Sequence, residues 1–159
     1  MADHSEQVRV EQLFDARLID ETMRHPRIYP HIKDDFCPEK AYDFVPPIDD
    51  AHTYVGAYRG DEYLGLFLLH PHTHILWEVH TCLLPVAWGS TALKCTTACA
   101  QWVWDNTPCQ RLITAVPEGN ELALRLARRS GMGEYGVNPK SFARGGVLIS
   151  QTLLGMNRS

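Results

Sequence analysis

One stretch, residues 77–132, constrains the chain more than any other, because its periodicity changes three times in an order few folds accommodate. 'HILWEVHTCLL' reads as a strand and runs through 'PVAWGSTALK' into a helix; 'CQRLITAV' reads as a second strand and runs through 'PEGN' into a helix opened by Asn120. Between the strands, the segment 90–106 carries Ala92, Leu93, Ala98, Cys99, Trp102 and Val103 at helical spacing instead of in alternation. Strand, helix, strand, helix is the grammar of a parallel crossover. Each strand-to-helix turn also leaves uncapped helix N–H groups beside a sheet, a setting suited to a phosphate-bearing ligand.

The flanking segments supply antiparallel strands. 'QVRVEQL' alternates and predicts a first strand, after which Asp15 is placed to cap 'ARLIDETMRHP' as a helix with Leu18, Ile19 and Met23 on one side and Pro26 and Pro30 at its end. A loop-rich stretch follows, with a short helix expected over 39–44. 'AHTYVGAYRGDEYLGLFLLHP' then predicts a hairpin about Arg59-Gly60-Asp61-Glu62, and a third antiparallel strand is expected over 74–84. A closing strand is expected within 141–154, with Gly145 and Gly146 before it and Gly155 after it. The expected architecture is α+β: a mostly antiparallel mixed sheet with one parallel β-α-β crossover and helices on both faces.

With 159 residues at 45% hydrophobic content, the chain suits a single domain over 1–159 with a real core. A net charge of −4, with no basic run, gives no field for a phosphate backbone and argues against nucleic acid as a partner. 'MADHSEQVRV' has no apolar leader, and no segment approaches the roughly 18 apolar residues of a membrane span, so the expected setting is cytoplasmic, without a membrane partner. Five cysteines without C-x-x-C spacing, Cys95 and Cys99 one helical turn apart, read as reduced core thiols. The helix over 90–106 carries only Lys94 and Asp105 as charges, with Trp102 and Trp104 on different faces; it should be covered on more than one side, by a homo-oligomer contact or a neighbouring segment.

Taken together, 'HTCLLP', the glycine turn at Gly89 and 'PEGNELALRLARRSGM' resemble the acyl-CoA-binding half of the GNAT (GCN5-related N-acetyltransferase) superfamily, in particular its phage-encoded members. In that superfamily the fourth strand ends in a bulge, a Gln/Arg-x-x-Gly-x-Gly/Ala loop follows, and an Asn opens a later helix that ends in a Gly-aromatic pair. Gly89 matches the central glycine, whereas Val86 and Thr91 depart from the outer positions; Asn120 and Gly131 match, with Met132 in place of the aromatic. The resemblance spans residues 52–154 in element order.

The resemblance implies acetyl-CoA as co-substrate, with main-chain groups near Cys82 and Leu83 pairing with pantetheine and the amides of Trp88, Gly89, Ser90, Thr91 and Ala92 facing the pyrophosphate. Lys94 is the nearest cation in sequence, and Asn120 serves the cofactor or simply caps its helix. The implied reaction is direct acetyl transfer to a primary amine. An alkylamine has a pKa near about 10.4, so a base must take its proton. Glu78 and His80, two apart and so on one face of a strand, are the candidate catalytic pair, burial being expected to raise the Glu78 pKa; the structural alternative is an ion pair and a hydrogen-bonded strand histidine. The tyrosine many members use as acid is replaced by Ala127, leaving Tyr135 as the nearest phenol.

His70, His72 and His74 alternate around Pro71, with His80 and Cys82 on the next strand; all are acceptable zinc ligands, but without paired knuckle spacing the expectation is a polar turn and no metal. The acidic pairs Asp34-Asp35 and Asp49-Asp50 either draw a cationic amine to the acceptor side or serve as turn formers. The alternative function is a catalytically inactive GNAT-fold protein acting as an interaction or phage assembly module.

Overall fold

The computed structural model describes residues 7–159; the 'MADHSE' part of the leader argument lies outside the described residues. The chain runs β1 (Val8–Gln12), α1 (Ala16–Met23), α2 (Tyr29–Ile32), β2 (Thr53–Arg59), β3 (Glu62–Pro71), β4 (Leu76–Leu83), α3 (Ser90–Asn106), β5 (Arg111–Pro117), α4 (Glu121–Arg129), β6 (Gly133–Arg144) and β7 (Val147–Asn157), with short 3-10 turns at Ala41–Asp43 and Pro85–Ala87. Seven strands form one sheet in the order β1-β2-β3-β4-β5-β7-β6, antiparallel throughout except for the parallel β4–β5 pair. This is the mixed sheet and crossover the periodicity predicts. Among the described residues, no helix is long and apolar enough to cross a membrane.

Strand alternation sends side chains into two cores on opposite faces. Val55, Phe67, Leu69 and Val79 pack with Cys95, Cys99 and Val103 of α3. Tyr54, Leu66, Leu68 and Cys82 pack with Ile19 and Met23 of α1. Asp15 caps α1 as its position predicts, accepting from the amides of Arg17 and Leu18. Pro30 sits in the first turn of α2, where proline fits, so a short helix forms where the sequence suggests only a stop.

The expected bulge at the end of β4 is not there, since β4 keeps unbroken register with β3 to Leu83. The irregularity lies in β3, where Ala57 faces Gly65 and Tyr58 faces Tyr63, leaving Leu64 as the extra residue. That extra residue re-phases the strand, and Leu64 joins the α3 core although its even-numbered neighbours Leu66 and Leu68 face α1.

The C-terminal reading needs the larger correction. Gly145 and Gly146 do not precede a lone strand; with φ of 62° and 77° they turn a hairpin between β6 and β7, and Gly155 lies inside β7. β6 escapes sequence reading because it is an edge strand, largely exposed, with register breaks at Tyr135 and around Pro139. The hairpin tip is clasped by Asp35, whose two carboxylate oxygens accept the N–H groups of Gly145 and Gly146 at 2.8 Å each, while the Asp35 amide donates to Ala143 O at 2.8 Å. Asp35→Ala should therefore lower stability by about 1–2 kcal/mol in urea melts, the scale of charge-assisted hydrogen bonds at a partly solvated site. A change of only a few tenths would show that the clasp contributes nothing.

Helix α3 lies against β1, β2 and α4. Trp104 is buried and Trp102 half-buried against the core, so the cover foreseen for this helix is supplied at both tryptophans by the same chain.

Candidate cofactor and acceptor site

The parallel pairing of β4 and β5 is brief: Leu76 faces Arg111, Trp77 faces Leu112, Glu78 faces Ile113, and there it ends. β4 continues beside β3 to Leu83 and β5 continues beside β7 to Pro117, so the sheet opens into a wedge. Gly65 explains part of the divergence. A Cβ there would lie 2.5 Å from Cys82 O and 2.7 Å from Leu83 Cα, so the end of β4 presses onto β3 where no side chain intervenes. A cavity of 590 Å³ occupies the wedge and reaches both faces, with Thr96 and Ala127 in the wall on one side and Met23 and His31 on the other.

At one end of the cavity stands the start of α3. Gly89 is its N-cap, with φ 92° and no side-chain cap bond, and open space where a Cβ would stand. The N–H groups of Ser90 and Thr91 are thus left to solvent or to a ligand, while that of Ala92 donates to Gly89 O at 3.1 Å. Of the expected cofactor residues, Cys82, Leu83, Trp88, Gly89, Ala92 and Asn120 line the cavity, whereas Ser90 and Thr91 do not. Several of these groups already have partners, the Trp88 amide among them, which donates to Pro85 O at 3.1 Å. Trp88 Nε1 donates to Leu83 O at 3.0 Å, and Asn120 caps α4 by accepting from Ala123 N at 3.3 Å.

Lys94 is exposed and outside the cavity wall. Arg59, outside the cavity wall, reaches the first turn of α3, its Nη1 3.4 Å from Thr91 Oγ1 while its Nη2 pairs with Glu62; Arg27, in the wall, lies over the Trp88 ring at 5.1 Å. No sequence signal marks Arg59, because β2 meets α3 only through tertiary packing.

On the α1 face, β4 presents Glu78 and His80 side by side as predicted, and both line the cavity. The expected direction for Glu78 is reversed. Its carboxyl is pulled down to about 2, first by the hydrogen bond with His80, which together with His72 and His70 outweighs a burial that works the other way. Glu78 Oε2 is 2.9 Å from His80 Nε2 and 3.6 Å from His70 Nε2; its Oε1 is 2.9 Å from His72 Nε2. Burial, before other causes, lowers His70. A neutral, burial-raised Glu78 is therefore not what this fold builds; the carboxylate is ionised and anchors imidazoles.

Tyr135 sits outside the cavity, exposed beneath the Arg111 guanidinium, while Ala127 is in the wall. Among the hydroxyls in the wall, those of Thr96 in α3 and Ser130 at the end of α4 stand 2.7 Å apart; the sequence reading did not single them out. All five cysteines are free, and burial pushes the Cys82 thiol up to about 12 and Cys95 up to about 11, as befits core residues. None of the four aspartates lines the cavity. Asp34 and Asp49 accept turn amides and Asp35 holds the hairpin, the turn-forming alternative.

The fold has known counterparts. Spermidine N-acetyltransferase from Vibrio cholerae, in complex with CoA and spermine, superposes with TM-score 0.76 at 15% identity over 95% of each chain. A GNAT-family acetyltransferase from Bacillus anthracis gives TM-score 0.73 at 15% identity, over 96% of this chain and 95% of that one. At such identities the likeness concerns the fold, which is the GNAT fold, as the sequence resemblance implies. In sequence, the chain is 30% identical over 100 residues to protein p31 of Acyrthosiphon pisum secondary endosymbiont phage 1, covering 63% of this chain and 64%, under two thirds, of that protein. A phage relative fits the phage-encoded type of the resemblance. A family model described as "Protein of unknown function (DUF2824)" matches residues 38–159, from before the β2–β3 hairpin to the C-terminus, and the chain, GNAT in fold, belongs to that family.

Proposed function

We propose that this chain is an acetyl-CoA-dependent N-acetyltransferase, a single domain over 1–159 that moves an acetyl group to a primary amine by direct transfer. The observation that carries the reading is the β4–β5 wedge: a 590 Å³ cavity passing from the uncapped α3 N-terminus to the Glu78–His80 face. The α3 amides suit a pyrophosphate, with Arg59 beside them, and the β5-facing edge of β4 past Glu78 suits an extended pantetheine arm. The acceptor amine enters from the α1 side, past His31 and Met23. A neighbour of the same fold holds CoA and spermine, which supports an amine acceptor.

In the step itself, the amine nitrogen attacks the thioester carbonyl, the C–N bond forms, the C–S bond breaks, and CoA leaves as thiolate. The amine proton passes to His80, whose Nε2 is tied to the Glu78 carboxylate. Positioning in a mainly apolar cavity supplies most of the acceleration. Without a phenol in the wall, the thiolate takes its proton through water, in net exchange for the one His80 has accepted. Acetyl-CoA as co-substrate places this work in a cytoplasm.

Calorimetric titration with acetyl-CoA and with CoA tests the reading. Saturable binding near one per chain supports it; no binding at millimolar ligand overturns it in favour of a GNAT-fold interaction or assembly module. Glu78→Gln and His80→Ala should lower kcat by about 10²-fold or more while leaving CoA affinity within about threefold, as expected for groups that act on the proton and do not hold the cofactor. Unchanged turnover in both would remove them from the chemistry.

A further inference from the structure

We infer that His70, His72 and Glu78, with His80 as a fourth donor, form a binding site for one divalent transition-metal ion of the zinc type. The ligand atoms of His70, His72 and Glu78 all lie within 4.8 Å of one another. His80 Nε2 stands 3.2 Å from His70 Nε2 and 2.9 Å from Glu78 Oε2. In a tetrahedron with metal–ligand bonds of about 2.0–2.2 Å, donors stand about 3.3–3.6 Å apart. Glu78 Oε2, His70 Nε2 and His80 Nε2 stand 2.9 to 3.6 Å apart pairwise, near that edge length, and His72, 2.9 Å from the other carboxylate oxygen, turns inward to complete the set.

Counting protons points the same way. Glu78 Oε1 stands 2.9 Å from His72 Nε2 and its Oε2 stands 2.9 Å from His80 Nε2, hydrogen-bonding distance in both cases. A ring nitrogen carries at most one hydrogen, so His80 Nε2 cannot donate to Glu78 and His70 together, and His70 Nε2 is left 3.6 Å from the carboxylate, beyond hydrogen-bond range. A cation at the centre satisfies all four donors at once. Three imidazoles with one carboxylate suit zinc, nickel or copper and not magnesium or calcium, which take oxygen-rich shells.

The frame is stiff. His70 and Glu78 are cross-strand partners on β3 and β4, and His72 is pinned by its own N–H to Leu76 O at 2.8 Å. His72 and His80 are each 43% exposed, which leaves a route in from solvent. Sequence spacing sets His74 and Cys82 beside these histidines, whereas the strand register brings in Glu78. The inference is independent of acetyl transfer, although both use Glu78: an ion engaging the carboxylate and His80 takes the electron pairs that would accept the amine proton, so the ion-free form is the transfer-competent one.

The test is titration of chelator-stripped protein with Co²⁺, read as visible absorption, followed by Zn²⁺ displacement. One equivalent with the intense bands of four-coordinate Co²⁺, bleached by Zn²⁺, is the expected result. His70→Asn and His72→Asn should each weaken binding at least about tenfold, while His74→Asn, in the same turn but outside the cluster, should titrate as the parent does. A pale six-coordinate spectrum, unchanged titration in both cluster variants, or equal loss in His74→Asn would overturn the site. CoA calorimetry on the stripped protein is read separately, so neither failure carries the other.

Discussion

Gly65→Ala should destabilise the protein by roughly 3–5 kcal/mol, the sum of a strained backbone and an overpacked contact. The glycine holds φ +133°, and the added methyl would meet Cys82 O at 2.5 Å, Leu83 Cα at 2.7 Å and Leu84 N at 3.0 Å. All three are main-chain atoms of one strand and its exit, so no rotamer change relieves the clash; β4 itself must move. For a chain of this length the melting temperature should fall by about 10 °C or more, a large part of the 5–15 kcal/mol that typically holds a domain together. Gly136→Ala is the control: its methyl would meet only Leu153 Cδ1, at 3.8 Å, and stability should stay within about 0.5 kcal/mol. A Gly65→Ala protein within 1 kcal/mol of the parent would mean that the β3–β4 approach is not the constraint it looks to be.

The second large effect concerns binding. Ser90→Glu adds a carboxylate in the first turn of α3, where the side chain is exposed and negative charge favours the helix dipole, so the fold should be unharmed or slightly firmer. The same charge would stand near the proposed pyrophosphate position. At about 5 Å and an effective dielectric near 20, like charges repel by roughly 3 kcal/mol, about a hundredfold in CoA affinity. Calorimetry beside a thermal melt separates the two effects: a stable protein that no longer takes CoA fits the assignment, and undiminished affinity would remove the α3 N-terminus from the site.

What was legible in the sequence was local. Asp15 and Asn120 cap helices because each contacts amides two or three residues away, and the turn at Gly60 and the β4-α3-β5-α4 order follow from short-range periodicity. What was hidden depends on register. β6 left no burial pattern to read because it lies at the sheet edge. Arg59 meets Thr91 across 32 residues, and Glu78 meets His70 and His72 only through the β3–β4 pairing. The direction of the Glu78 shift was misjudged for the same reason: burial can be guessed from a strand, but three imidazoles arriving from three positions cannot.

The sheet is also two boards on a short hinge. β1 to β4 form one and β5, β7 and β6 the other, with three residue pairs of ladder between them. A chain-like ligand lying along β4 would supply the missing rungs, turning the hinge into a continuous plate. Amides of 79–83 and 114–117 should then exchange with solvent more slowly in the occupied protein, so that the cofactor acts as a structural member as much as a reagent.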